Sequence, residues 1–154
     1  MTRYAVREAR PHELAVVIRH RRRMYEDMGH TDPRQLEEME RSSELFFGHH
    51  FAAGTYRGWF VETEGRIVAG GGVLVLPFQP QINSPRPERP WIVNMFTEPE
   101  HRRQGLARLL LQEMLAWCRG QSFPLVSLHA SDEGRFVYAA MGFIASNEMR
   151  LPLD

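Results

Sequence analysis

The sequence predicts an α/β domain of the α+β kind, and three observations carry that expectation. Trp91–Arg119 reads as an apolar strand, a basic turn containing a glycine and an amphipathic helix in immediate succession. Arg57–Thr63 and Arg66–Leu76 read as strands joined at Glu64-Gly65, a hairpin signal. Two helical runs precede that hairpin, so helices and strands mix within 154 residues. Such a length favours one domain, residues 1–154, able to bury roughly two-thirds of its unfolded surface.

Taken in order, Tyr4–Glu8 reads as a short first strand. Pro11 suits the first turn of a helix in which Leu14, Val17, Ile18, Met24 and Met28 keep helical spacing. Within it, Arg19-His20-Arg21-Arg22-Arg23 is expected to form a solvated face. Gly29 and Thr31-Asp32-Pro33 break the helix, and Thr31 or Asp32 can cap a second one from Pro33 to about Phe51. Glu37, Glu38, Glu40 and Glu44 give that helix an acidic side, read first as solvent-facing and second as a rim attracting a cationic group. In the hairpin that follows, Gly70-Gly71-Gly72 suggests a bulge or a close backbone approach. Pro77–Pro90 holds five prolines without periodicity and reads as a loop. The strand Trp91–Thr97 then ends at Glu98-Pro99-Glu100, because proline has no N–H for a ladder and restricts the residue before it. From Gly105 onward Ala107, Leu110, Leu111, Met114 and Cys118 share one helical face, until Gly120 supplies a stop. Leu125–Ala130 reads as another strand. Ser131 or Asp132 can cap a short helix bearing Phe136, Val137, Ala140 and Met141, which Gly142 closes. Phe143–Leu153 is expected to return as a final strand or two.

Chemistry enters at Arg102-Arg103-Gln104-Gly105-Leu106-Ala107. The first N–H groups of a helix have no partner inside it, and the aligned peptide dipoles add partial positive charge there, so a phosphate can be bound by backbone atoms. Gly105 permits close approach, and Arg102, Arg103 and Arg108 add charge. On these residues alone an ordinary strand-to-helix turn is an equal reading. A Walker A loop is absent, and the triple glycine lacks the spacing of a dinucleotide fold.

The spacing Arg102-x-x-Gly105-x-Ala107, preceded by a strand and Thr97-Glu98-Pro99, resembles the acyl-CoA signature of the GCN5-related N-acetyltransferase (GNAT) superfamily. Asn94 to Ala107 is similar to the form found in ribosomal-protein alanine acetyltransferases, and Tyr138-x-x-Met141-Gly142-Phe143 resembles the tyrosine motif that follows the superfamily's fifth strand. The resemblance implies a mixed, mostly antiparallel sheet of roughly six to seven strands, splayed at the acyl-CoA site and flanked by about four helices on both faces. It implies that backbone of Met95, Phe96 and Thr97 faces pantetheine and that the turn from Arg102 through Arg103, Gln104, Gly105, Leu106 and Ala107 to Arg108 faces pyrophosphate. Where many relatives carry an asparagine contacting pantetheine, this chain has Ser131. The activity implied is transfer of an acetyl group from acetyl-CoA, as cosubstrate, to an amine-bearing acceptor. The alternative is a CoA-binding module that has lost catalysis and acts through a protein partner.

For that reaction the resemblance implies Tyr138 as the acid that protonates the departing thiolate. The base is sought at His129. By the period of two, Val126, Leu128 and Ala130 share one strand face and Leu125, Ser127 and His129 the other, and the apolar face should meet the core. With the shorter loop aligned at its strand end, the resemblance places His129 where alanine acetyltransferases of the superfamily carry a glutamate, and an imidazole titrates near neutrality. The other reading of His129 is a histidine covered by the first helices and bonded to backbone, which leaves Glu62 or a bound water as the base.

Composition bounds the rest. Nineteen basic and nineteen acidic side chains cancel, which argues against a nucleic-acid or membrane partner. The single cysteine, Cys118, sits on an apolar helix face and fits a reducing compartment. The N-terminus lacks an apolar signal core, no apolar run approaches the ~18 residues of a membrane span, and a cytoplasmic protein is expected. Adjacent His49-His50 cannot share a helix face, and no metal-ligand spacing appears, so no metal is expected. A homodimer is left open.

Overall fold

The computed structural model describes residues 2–154. Five strands form one sheet in sequence order: β1 (Ala5–Glu8), β2 (Tyr56–Thr63), β3 (Arg66–Pro77), β4 (Glu88–Thr97) and β5 (Ser127–Leu128). The first four pair antiparallel, and β5 joins β4 in parallel. A 3-10 turn at Pro11–Glu13 leads into α1 (Leu14–Asp27), followed by α2 (Pro33–Ala53) before the sheet continues. Asp32, not Thr31, caps α2, its carboxylate accepting from the Arg34 N–H at 2.9 Å. After β4 come α3 (Leu106–Gly120) and α4 (Arg135–Ala140). No helix among the described residues is long and apolar enough to cross a membrane.

The sheet is buried on both faces. On one, Val61, Val68, Val73 and Ile92 pack with Leu110, Leu111, Met114 and Cys118 of α3, which the helical spacing placed together. On the other, Phe60, Leu74 and Tyr56 meet Val17 and Ile18 of α1 and Phe47 of α2. Each fully buried side chain of Leu or Phe size contributes about 1.5–3 kcal/mol, so the two layers fix the helices on opposite faces. The arrangement leaves one end of the sheet, where β4 meets β5, incompletely covered.

The hairpin β2–β3 forms as its sequence indicates, and the glycine run has a physical reason on both faces. A Cβ on Gly70 would stand 2.9 Å from His20 Nδ1, one on Gly71 would collide with the Met95 sulfur, and one on Gly72 would collide with the Tyr56 hydroxyl. The bulge is there too. Gly72 pairs with Val93 and Gly70 with Phe96, so Asn94 and Met95 share the place opposite Gly71. Asn94 takes φ of 62°, a left-handed conformation in a strand.

The structure corrects the strand count. Among the described residues there are five strands rather than six or seven. The segment Leu125–Ala130 keeps only Ser127–Leu128 as strand, because the bulge turns β4 away after Ile92 and the ladder has nothing to continue on. Phe143–Leu153 forms no strand. A two-residue β5 offers too short an edge to template it, and Pro152 has no N–H to donate. Within this tail Ile144, Met149, Leu151 and Leu153 stay exposed. The proline-rich loop is shorter than expected, since β3 reaches Pro77 and β4 begins at Glu88.

Candidate active site

The ladder between β4 and β5 consists of two pairs, Trp91 with Ser127 and Ile92 with Leu128. Beyond them β4 keeps β3 on one side, while Val93–Thr97 has no strand on the other. This open edge begins at the bulge and ends where the Glu98 N–H donates to the Val68 carbonyl at 2.8 Å. Met95 points to the α3 face and Phe96 to the α1 face, where the His20 ring lies 5.0 Å away.

The open edge runs directly into the basic turn. Arg103 has φ of 62° and Gly105 φ of 78°, so the chain passes twice through the left-handed region before α3 starts. The first α3 carbonyl to accept is that of Gly105, from the Leu109 N–H at 3.1 Å. The N–H groups of Gly105, Leu106, Ala107 and Arg108 therefore have no carbonyl earlier in the helix to pair with. Leu106 is buried and anchors the turn, while Arg103, Gln104, Gly105 and Arg108 are exposed. Arg102 is engaged elsewhere: its Nε donates to the Thr97 carbonyl at 3.0 Å and its Nη2 to Asp27 at 2.7 Å.

Tyr138 and His129 lie on different faces. Tyr138 packs partly buried against the α3-side core, edge-on to Phe143 at 5.8 Å. Burial raises its pKa above the ordinary phenol value, and its hydroxyl has no hydrogen-bond partner among the described residues. Val126 and Leu128 pack on that same face. His129 follows Leu128 at the point where β4 and β5 part, and its ring stacks on Trp91 at 5.2 Å on the opposite face, as the alternation indicated. It is exposed, with Nε2 3.5 Å from Glu148. The Ser131 hydroxyl accepts from the Gly134 N–H at 3.1 Å and so serves the turn into α4. Glu62 is paired with Arg7 at 2.8 Å beside β1, at the far end of the strand order from β5. That removes it as a fallback base.

Sequence reasoning passed over a buried polar set between α1 and β4. Glu98, 7% exposed, takes Arg19 at 2.7 Å and Arg23 at 3.5 Å. Asn94 donates to the Tyr56 hydroxyl at 3.2 Å and accepts from Arg21 at 2.7 Å. Burial pushes the Tyr56 pKa up to about 12, so that hydroxyl stays protonated. The basic run is thus no uniform solvated face, although Glu37, Glu38 and Glu44 of α2 do face solvent. The available signals were a lone asparagine within an apolar strand and a carboxylate directly before a proline.

His20 is 1% exposed, with its Nε2 unpartnered. Burial first, then Arg19 and Arg23, lower its pKa from 6.5 to about 4. In the unfolded chain it takes up a proton nearer pH 6.5, so between these values the unfolded state binds more protons and stability falls as pH falls. The difference amounts to about 3 kcal/mol lost between pH 6.5 and 4. His50, lowered chiefly by burial, acts in the same sense. Denaturant titrations across this range should show His20→Gln with a flatter pH dependence than the parent; superimposable curves would remove His20 as the acid-sensitive group.

The architecture recurs in solved proteins. A GCN5-related N-acetyltransferase from Ralstonia eutropha JMP134 superposes with a TM-score of 0.92 at 29% identity, over 98% of this chain and 99% of that one. A predicted acetyltransferase from Clostridium acetobutylicum, determined with acetyl-CoA, gives a TM-score of 0.88 at 24% identity, over 99% and 96% of the two chains. Among curated proteins, human N-acetyltransferase 8 is 31% identical over 88 residues, which are 55% of this chain and 37% of that protein. The match thus spans little more than a third of that relative's length. The model of the acetyltransferase (GNAT) family matches residues 16–143, from α1 through the open edge and the basic turn to the tyrosine motif. On this ground the chain belongs to the acetyltransferase (GNAT) family of acyltransferases.

Proposed function

We propose that the protein transfers an acetyl group from acetyl-CoA to a primary amine of a small molecule or peptide, by direct attack in a ternary complex. The observation that carries this reading is the open edge of β4 leading without interruption into the left-handed turn at Arg103–Gly105. An extended pantetheine amide chain suits an unpaired strand edge, and a pyrophosphate suits the unpaired N–H groups at the start of α3. Met95, Phe96 and Thr97 lie on the edge. The backbone from Arg103 to Arg108 forms the phosphate cradle, to which the exposed guanidiniums of Arg103 and Arg108 add charge. Arg102 acts by holding the turn against β4 and α1.

In the reaction the amine must first lose a proton, since an ammonium has no lone pair. His129, standing where the strands part, accepts it directly or through a water. The amine nitrogen then bonds to the thioester carbonyl carbon, the carbon–sulfur bond breaks with its electron pair on sulfur, and Tyr138 gives the sulfur a proton. The second proton of the acylated nitrogen then leaves through water and restores the phenol. The experiment is a thiol-release screen of acetyl-CoA against polyamines, aminoglycosides, amino acids and peptide N-termini. Acceptor-dependent release supports the reading, whereas acetyl-CoA binding without release from any acceptor would point to a binding module. With an acceptor found, His129→Ala should lower kcat/KM by about tenfold. Wild-type kcat/KM in the variant leaves the proton to water alone.

A further inference from the structure

The five-residue basic segment of α1 divides by partner. Arg19 and Arg23 pair with Glu98, and Arg22 with Glu26 and Glu40. Arg21 differs: among the described residues no carboxylate lies within 4.0 Å of its guanidinium. Its Nε donates to Ser43 Oγ at 3.1 Å and its Nη1 to Asn94 Oδ1 at 2.7 Å, both neutral acceptors. The guanidinium lies over the Phe47 ring at 4.9 Å and the Tyr25 ring at 5.8 Å. Two aromatic faces and two neutral oxygens hold the group in place without cancelling its charge. The side chain is partly buried. A cation removed from bulk water and left without an anion is costly, and a fold that keeps one in a fixed orientation has room for an anion from outside.

Its place narrows what that anion is. Asn94, the residue it holds, occupies the bulge from which the open edge of β4 runs. Arg21 stands on the α1–α2 face of that bulge, so it faces the side opposite α3 and is separate from the turn assigned to phosphates. Nη2 has no acceptor among the described residues, and guanidinium N–H groups are laid out to receive a carboxylate. A phosphomonoester carries nearly twice the charge, yet Arg19, Arg22, Arg23 and Arg102 are already committed to Glu98, Glu26, Glu40 and Asp27. Within this cluster, one guanidinium without a carboxylate partner among the described residues matches one singly charged group. Resting on the acetyltransferase reading above, we propose that the acceptor is an amine that also carries a carboxylate, and that Arg21 binds this carboxylate and so sets acceptor specificity.

The test compares matched acceptors with acetyl-CoA as donor: alanine with alaninamide, glutamate with its diamide, and short peptides with free and amidated C-termini. Wild-type kcat/KM should favour the free acid by about tenfold or more, chiefly through KM. The amide's amine is the less basic of each pair, which works against that outcome and makes it harder to reach by chance. Arg21→Gln should bring the ratio close to one, and Arg21→Lys should retain part of it. A structural role for Arg21 would instead lower both members of each pair alike and preserve the ratio, which would overturn the proposal. The wild-type ratio and Arg21→Lys keep the test decisive should Arg21→Gln not fold. A wild-type ratio near one, or turnover confined to acceptors without a carboxylate, overturns the specificity assignment and leaves the acetyltransferase reading standing. Failure of calorimetry to detect acetyl-CoA binding to the wild type overturns both.

Discussion

Gly105→Val should weaken acetyl-CoA binding by about a hundredfold or more, a loss of about 2.7 kcal/mol from a micromolar complex worth roughly 8 kcal/mol. Gly105 sits at φ of 78°, where a β-branched side chain is a steric outlier costing roughly 1–3 kcal/mol. The turn would relax away from that conformation, and the N–H groups that follow it would lose their common direction. A Cβ built there meets no atom beyond its neighbours in the chain within 4 Å, so nothing in the packed interior opposes the variant's folding. The side chain instead occupies the outer side of the turn, where a phosphate would approach. Gly105→Ala should show an intermediate loss. Calorimetry on folded protein reads the effect, and wild-type affinity in Gly105→Val would remove the turn from the donor site.

The turn was legible in the sequence because its determinants are local. A proline ends β4, a glycine takes the left-handed position and the apolar spacing of α3 begins one residue later. His129 was legible for a similar reason, since period two alone separates its face from that of Val126 and Leu128. What could not be read depends on residues far apart in the chain. The asparagine at the bulge meets Tyr56 38 positions away and Arg21 73 positions away, and neither partner is implied by local pattern. Arg21 and Arg23 look alike in sequence, yet one has a carboxylate and the other does not, and the difference lies in Glu98 beyond β4. The length of β5 failed for the same cause. Strand propensity in Leu125–Ala130 says nothing of whether a neighbour continues beside it, and the bulge withdraws that neighbour after two pairs. The tail Phe143–Leu153 is the converse case, a segment expected as strand without an edge to pair with.

Tyr138→Phe should lower kcat by roughly tenfold to a hundredfold while acetyl-CoA affinity stays within about twofold. The substitution is informative because the ring has a packing role of its own, against the α3-side core and edge-on to Phe143, that phenylalanine preserves. Only the hydroxyl is removed, and that hydroxyl bonds to no described residue, so no protein partner is left unsatisfied. Burial raises the phenol's pKa, which keeps the proton on oxygen throughout the neutral range and available to a thiolate leaving in the same partly desolvated surroundings. The sign of the pH dependence follows. On the proposed role the protonated phenol is the active form, so activity should fall as pH rises through its folded pKa, above the ordinary value of about 10. Tyr138→Phe should lack that alkaline limb and show a lower, flatter profile. Acceptors of lower amine basicity, which need less help from the proposed base, should leave the deficit unchanged, since the proposed acid acts on the sulfur and not on the amine. Steady-state rates across pH, with single-turnover measurements to separate chemistry from product release, decide the matter: wild-type turnover in Tyr138→Phe would make the tyrosine a packing residue and leave the thiolate to be protonated by water.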